Sequence, residues 1–233
     1  MLIKIWSDIR CPFCYIGKRH FESALEHFPN KEQIQIEWKS FELDPNLKTA
    51  PQTDALTHFI ESKGVERSQA ELMFSNVSNM ALQAGLTFNL EQSIPANTLN
   101  AHRLLHIAKQ ESPDLAYNLK EALLKAHLSE GKNIDDTEVL IAIAAHLGMD
   151  SEKTKYILES DDFIYDVRQD EMEARNLGIS GVPFFVIDNK YGISGAQPVS
   201  VFTETLEKAW DARKEELEII NSGSSCDIDG NCN

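Results

Sequence analysis

Apolar and polar residues alternate in two short stretches near the start of the chain. Residues 2–6, LIKIW, and residues 34–41, IQIEWKSF, follow the two-residue period of a β-strand. Between them we expect a helix from Pro12 to His27, because proline suits the first helical turn, where no backbone N–H is needed. A helical crossover favours a parallel pair of strands, so the chain is predicted to begin with a βαβ unit.

The middle of the chain has helical periodicity almost throughout. Ser112 and Asp136 are placed as N-caps, and glycines follow the apolar runs as helix ends. Met73 and Met80 belong to an apolar helical stripe that we expect to be core. The predicted helices cover residues 66–85, 112–131, 136–148 and 161–177.

The last third of the chain returns to the strand pattern. PFFVI, residues 183–187, reads as a buried strand, a turn follows, and GIS, residues 192–194, reads as its partner before a final helix over residues 199–219. The order β-α-β, helices, β-β-α predicts an α/β protein with a thioredoxin fold and a large α-helical insertion. The predicted division is a discontinuous thioredoxin-fold domain over residues 1–45 and 178–220, a helical insertion domain over residues 46–177, and a flexible cysteine-containing tail over residues 221–233.

The composition of the chain limits the kinds of molecule that it is expected to bind. The formal net charge is −15, from 22 basic and 37 acidic residues, which argues against nucleic acid because phosphate binding needs a basic surface. No apolar run approaches the roughly 18 residues of a membrane span. The strand-like segment begins directly after Met1, with no apolar leader in front of it. We therefore expect a cytoplasmic protein without a membrane partner.

Two cysteines, Cys11 and Cys14, lie where the first strand passes into the first helix, in the sequence CPFC. This spacing occurs in redox-active dithiols, structural disulfides and zinc sites. The other two cysteines, Cys226 and Cys232, have five residues between them and do not repeat the tight spacing of a zinc-ligand pair. A helix N-terminus favours the thiolate, so Cys11 is the candidate nucleophile and Cys14 the resolving thiol.

A proline far downstream strengthens the redox interpretation. SGVPFF, residues 180–185, places Pro183 at the start of a predicted strand, a position that tolerates proline. Taken alone, this is an ordinary strand start. Together with the cysteine pair and the order of elements, it predicts a cis-proline that faces the dithiol.

These motifs resemble the DsbA family of thiol–disulfide oxidoreductases. CPFC after a short strand, the helical block and VPFFVI follow the family's order, and FELDPN, NTLNAHRLLHIA and GISGVPFFVI more closely resemble its FrnE-like cytoplasmic branch. The resemblance implies that Cys11 and Cys14 are the redox pair. It also implies that Val182 and Pro183 form the cis-proline loop, whose backbone pairs with a bound substrate.

The resemblance suggests further substrate-binding residues, and it has one notable departure. Asn97, His102 and Arg103 would border the groove, although ordinary helix packing explains them equally well. Pro12 and Phe13 separate the cysteines, where periplasmic oxidants of the family carry a histidine. Because phenylalanine cannot donate a hydrogen bond to the thiolate, we expect a less oxidising couple.

The predicted function is thiol–disulfide oxidoreductase or isomerase activity on protein or small-thiol substrates. No metal or other cofactor is expected, and glutathione is a candidate co-substrate. Two alternatives stay open: a glutathione-dependent isomerase or transferase of the kappa and hydroxychromene carboxylate isomerase type, and a non-catalytic thiol sensor. For Cys226 and Cys232 the open interpretations are an accessory dithiol that exchanges with the CPFC pair, a passive tail and a metal-binding tail.

Overall fold

A mixed four-stranded sheet forms the centre of the molecule in the computed structural model, which describes residues 1–214. The strand order is β2-β1-β3-β4. β1, Leu2–Ser7, pairs in parallel with β2, Gln35–Ser40. β3, Phe184–Ile187, is antiparallel to β1 and to β4, Tyr191–Ser194. The predicted thioredoxin fold with added helices is confirmed.

The helices divide between the two ends of the sequence and its middle. α1, Pro12–Glu26, follows β1 in the sequence, and α9, Val199–Lys214, follows β4. The middle helices are α2 Ala55–Lys63, α3 Arg67–Gln83, α4 Leu99–Glu111, α5 Pro113–Leu128, α6 Thr137–His146, α7 Ser151–Glu159 and α8 Ile164–Asn176. No helix range was predicted for α2, α4 or α7.

Both faces of the sheet are covered by helices. Ile3 and Ile5 point to one face, where they join a core shared with α1 and α9. Trp6 points to the other face, where it packs with Ala174 of α8 and donates a 2.9 Å hydrogen bond from its ring nitrogen to the Asp170 carbonyl. The helix α8 therefore packs on the sheet, although its sequence position falls inside the predicted insertion.

The middle helices have their own core, and their ends follow the predicted signals. Ser112 Oγ accepts a hydrogen bond from the Leu115 N–H, and an Asp136 carboxylate oxygen accepts from the first turn of α6. One packing prediction was wrong: Met73 and Met80 on α3 are 45% and 38% exposed rather than buried. Within residues 1–214, no helix combines the length and the apolar character needed to cross a membrane.

Candidate active site

The CPFC segment forms the N-terminus of α1, just beyond the end of β1. Cys11 is the N-cap residue with an extended backbone, and Pro12 occupies the first helical turn. The Cys11 N–H donates to the Asp8 carbonyl at 3.3 Å, and the Cys14 N–H donates to the Cys11 carbonyl at 3.0 Å. Both cysteines are unbridged thiols and are buried. The fold thus places Cys11 where the unpaired N–H groups of a helix N-terminus favour a thiolate.

The two cysteines sit in different electrostatic settings. Burial raises the pKa of Cys14 well above its usual value, and the neighbouring Cys11 raises that pKa further. The positive charge of Lys120 and a hydrogen bond from the Asp8 backbone act in the opposite direction. Cys14 is therefore a protonated thiol at neutral pH, which fits a resolving thiol rather than the first attacker.

The cis-proline loop lies directly against Cys11. The Val182–Pro183 peptide bond is cis, and Cys11 Sγ lies 3.6 Å from the Val182 carbonyl oxygen. Pro183 is buried, and its own carbonyl accepts a 2.8 Å hydrogen bond from the Gly195 N–H. Within residues 1–214 the Val182 N–H has no hydrogen-bond partner. The loop thus presents a backbone donor beside the thiol.

The residues between the cysteines form the surface of the site. Phe13 is 38% exposed, whereas Pro12 is half-buried. Because Cys11 itself is only 5% exposed, a disulfide that reaches it must pass close to Phe13 and Val182.

A buried carboxylate that sequence reasoning missed lies behind the pair. Asp8 is fully buried and accepts a 2.8 Å hydrogen bond from the Leu43 N–H, and His102 Nε2 lies 3.6 Å from the other carboxylate oxygen. Burial by itself would raise the pKa of Asp8, but His102 and the Leu43 hydrogen bond outweigh it and hold that pKa below its usual value. Burial lowers the pKa of His102. His102 is therefore neutral and buried behind the dithiol at neutral pH, away from any open groove.

A buried lysine was also missed. Lys120 of α5 is fully buried, and its ammonium lies 3.4 Å from the Ser7 carbonyl oxygen at the end of β1. Burial lowers the pKa of Lys120 to about 8. One sequence signal could have found it: Lys120 interrupts the apolar stripe of α5, between buried Ala116 and Leu124, at the four-residue spacing of one helix face.

Two predicted substrate-binding residues, Arg103 and Asn97, make hydrogen bonds within the protein. The guanidinium of Arg103 donates all its N–H groups within the helical block, to Asn100 and to carbonyl groups around the end of α7. The Asn97 amide donates to the carbonyls of Pro45 and Leu47 and accepts from the Leu99 N–H. All side-chain N–H groups of Arg103 and Asn97 are thus engaged within the protein.

The second histidine of α4 and the two cysteines of the tail complete the description of the candidate residues. His106, four residues after His102, lies 3.1 Å from Ser40 Oγ and 3.2 Å from an Asp170 carboxylate oxygen. In the described residues no group of His, Cys, Asp and Glu side chains is arranged to hold a metal ion. Cys226 and Cys232 lie outside the described residues.

Comparison with solved structures links this geometry to known oxidoreductases. A crystal structure of a probable DsbA oxidoreductase from Streptomyces coelicolor is 37% identical, covers 100% of this chain and 98% of its own, and superposes with a TM-score of 0.87. A 2-hydroxychromene-2-carboxylate isomerase is 14% identical, with coverage of 94% and 100% and a TM-score of 0.69. The cytosolic disulfide reductase DsbM of Pseudomonas aeruginosa is 14% identical, with coverage of 91% and 100% and a TM-score of 0.62.

These similarities differ in what they establish. At 14% identity, the isomerase and DsbM show a shared fold only. The family defined by the DSBA-like thioredoxin domain, in contrast, matches residues 2–207, which is most of the chain. Together with the helix-capping cysteine and the cis-proline loop, this match shows that the chain belongs to the DsbA-like family of thiol–disulfide oxidoreductases.

Proposed function

We propose that this protein exchanges disulfides through Cys11 and Cys14, with protein or low-molecular-weight disulfides and dithiols as substrates. One observation carries the proposal. The thiol at the N-cap of α1 lies 3.6 Å from the carbonyl that precedes the cis-proline, and a second, more deeply buried thiol follows one helical turn later. This arrangement offers an attacking thiol, a resolving thiol and a backbone edge for the substrate.

The exchange has two steps. The Cys11 thiolate attacks one sulfur of the substrate disulfide, which breaks the S–S bond, forms a mixed disulfide and releases the first substrate thiolate. Cys14 then loses its proton and attacks the Cys11 sulfur. A Cys11–Cys14 disulfide forms, and the second substrate thiolate leaves with the electron pair and takes up a proton. Run in reverse, the same steps oxidise a dithiol substrate.

The surface around Cys11 can accommodate an extended peptide or a small thiol. The Val182 N–H provides one backbone donor, and exposed Phe13 provides apolar contact area without a deep pocket. Both features serve a peptide as well as a small thiol, so glutathione is proposed as a candidate co-substrate. The proposed compartment is the cytoplasm, and the fold neighbour DsbM is described as cytosolic. No metal takes part in the proposed reaction.

Variants of the two cysteines test the proposal. We expect Cys11→Ser to abolish reduction of an aromatic disulfide and of insulin. We expect Cys14→Ser to lose turnover while it accumulates a mixed disulfide on Cys11. A glutathione-dependent isomerase would not require Cys14, so an active Cys14→Ser variant would favour that alternative. A chain that binds thiols but turns over no disulfide would favour the thiol-sensor alternative.

A further inference from the structure

Lys120 is a buried lysine whose positive charge has no negatively charged partner among the described residues. Its side chain is fully buried, and its only hydrogen bond is the 3.4 Å contact to the Ser7 carbonyl. Within residues 1–214 no carboxylate lies within ion-pair distance of its Nζ. Lys18, buried to a similar degree, instead pairs with Glu22 and lies 2.6 Å from Glu121. A buried ammonium without a counter-charge is costly and calls for a reason.

The carboxylate of Asp8 acts on Lys120 but is held by other groups and forms no ion pair with it within residues 1–214. One oxygen of Asp8 accepts the Leu43 N–H at 2.8 Å, and the other faces His102 and the backbone N–H of Arg10. Asp8 therefore influences Lys120 through space without forming an ion pair with it. The Trp38 ring, whose centroid lies 5.5 Å from the ammonium, closes another side.

A short backbone segment connects Lys120 with the resolving cysteine. The carbonyl of Ser7 contacts the Lys120 ammonium, the carbonyl of the next residue, Asp8, accepts the Cys11 N–H at 3.3 Å, and the Cys11 carbonyl accepts the Cys14 N–H at 3.0 Å. When it is ionised, Cys14 acts on the Lys120 ammonium more strongly than Asp8 or Cys11 does. The group that would complete the charge balance of Lys120 is thus a thiolate at Cys14.

We propose that Lys120 is a positioning residue for resolution, in which its ammonium is the counter-charge of the Cys14 thiolate. This inference rests on the proposed function. In the step concerned, Cys14 releases its proton and its thiolate attacks the sulfur of Cys11 in the mixed disulfide. The Cys11–Cys14 bond forms as the bond to the substrate sulfur breaks, and the leaving thiolate takes up a proton. Lys120 keeps its proton throughout, and α5 thereby supplies electrostatics to a site carried by α1.

The charge of Lys120 depends on pH, and its surroundings define that dependence. The titratable groups around it are Asp8 after β1, Cys11, Cys14 and Lys18 on α1, and His102 on α4. With the pKa of Lys120 lowered to about 8, the ammonium is present below that pH and is lost above it. Most Lys120 side chains therefore carry the ammonium charge at pH 7.

Reaction with the aromatic disulfide 5,5′-dithiobis(2-nitrobenzoate) separates attack from resolution. Attack by Cys11 releases the first coloured thiolate, and resolution by Cys14 releases the second. All variants carry Cys226→Ser and Cys232→Ser, so that only the CPFC pair reports. At pH 7 we expect Lys120→Met to slow the second phase by at least about 10-fold and to change the first by less than about twofold. Lys125→Met, on the exposed side of α5, should change neither phase.

The possible outcomes distinguish failure of the proposed role of Lys120 from failure of the proposed function. An unchanged second phase in Lys120→Met, or an equal slowing of both phases, overturns the role of Lys120 alone. A wild-type second phase that survives Cys14→Ser contradicts the proposed function itself, and the role of Lys120 falls with it. Lys120→Arg keeps the charge and should restore most of the second phase. Should Lys120→Met not fold, Lys120→Gln against Lys120→Arg gives the same comparison, and equal second phases in that pair would refute the proposal.

Discussion

Gly17→Ala tests the contact that joins the redox helix to the cis-proline loop. A Cβ atom at Gly17 would lie 3.0 Å from Pro183 Cγ and 3.4 Å from Ala196 Cα. The proline ring is buried and Ala196 presents backbone, so neither neighbour can rotate away. α1 and the loop must therefore separate by a few tenths of an ångström in the variant.

The magnitude follows from two opposing effects. Overpacking of this kind costs about 1–3 kcal/mol, whereas alanine in a helix interior returns about 1 kcal/mol relative to glycine. We expect a net loss of about 1 kcal/mol in the free energy of unfolding, which lowers the melting temperature by roughly 2–4 °C for a chain of this size. Displacement of Pro183 also moves the Val182 carbonyl away from Cys11, so the exchange rate should fall by roughly 10-fold.

Urea denaturation and insulin reduction measure the two effects. Gly181→Ala is the matched control for stability, because a Cβ there meets nothing within 4 Å. Its free energy of unfolding should stay within about 0.5 kcal/mol of the wild type. A Gly17→Ala variant with wild-type stability and a wild-type exchange rate would show that the helix–loop contact does not constrain the site.

Three further predictions concern pH, potential and the tail. Burial lowers the pKa of His127 to about 4; the unfolded chain therefore takes up this proton first as pH falls, and stability should drop by about 3 kcal/mol between pH 6.5 and 4. Urea melts at several pH values measure this drop, which His127→Leu should remove. Phe13→His should make the couple more oxidising in a glutathione redox titration, and an unchanged potential would count against the hydrogen-bond explanation. If Cys226 and Cys232 exchange with the CPFC pair, replacing both with serine should slow turnover, whereas a passive tail leaves the kinetics unchanged.

Sequence patterns predicted the strands and helix ends that depend on neighbouring residues in the chain. The alternation around Ile3 and Ile5 reflects the fully buried face of β1, and the Ser112 and Asp136 caps satisfy N–H groups within their own helices. α2 buries only Leu56, and α7 has a similarly small buried face, so these short helices carry too few apolar positions for a periodic signal.

The site was only partly predictable for a related reason. Cys11 and Cys14 are identified by their spacing at a strand-to-helix junction, which a sequence displays directly. Asp8 lies only three residues before Cys11 and Lys120 lies on another helix, but the burial that makes both act on these thiols depends on tertiary packing. The partners of Arg103 could not be predicted either, because the carbonyl groups that accept its hydrogen bonds belong to α7 and the loop after it, far along the chain.

Intact-mass measurement of the Cys14→Ser variant after treatment with oxidised glutathione tests the central claim most directly. If Cys11 attacks and Cys14 resolves, the variant should carry one stable glutathione adduct that peptide mapping assigns to Cys11. The wild type under the same conditions should carry no lasting adduct on Cys11 and should contain a Cys11–Cys14 disulfide. Absence of an adduct on Cys11 in the variant, or an equally stable adduct on Cys11 in the wild type, would contradict exchange through this pair.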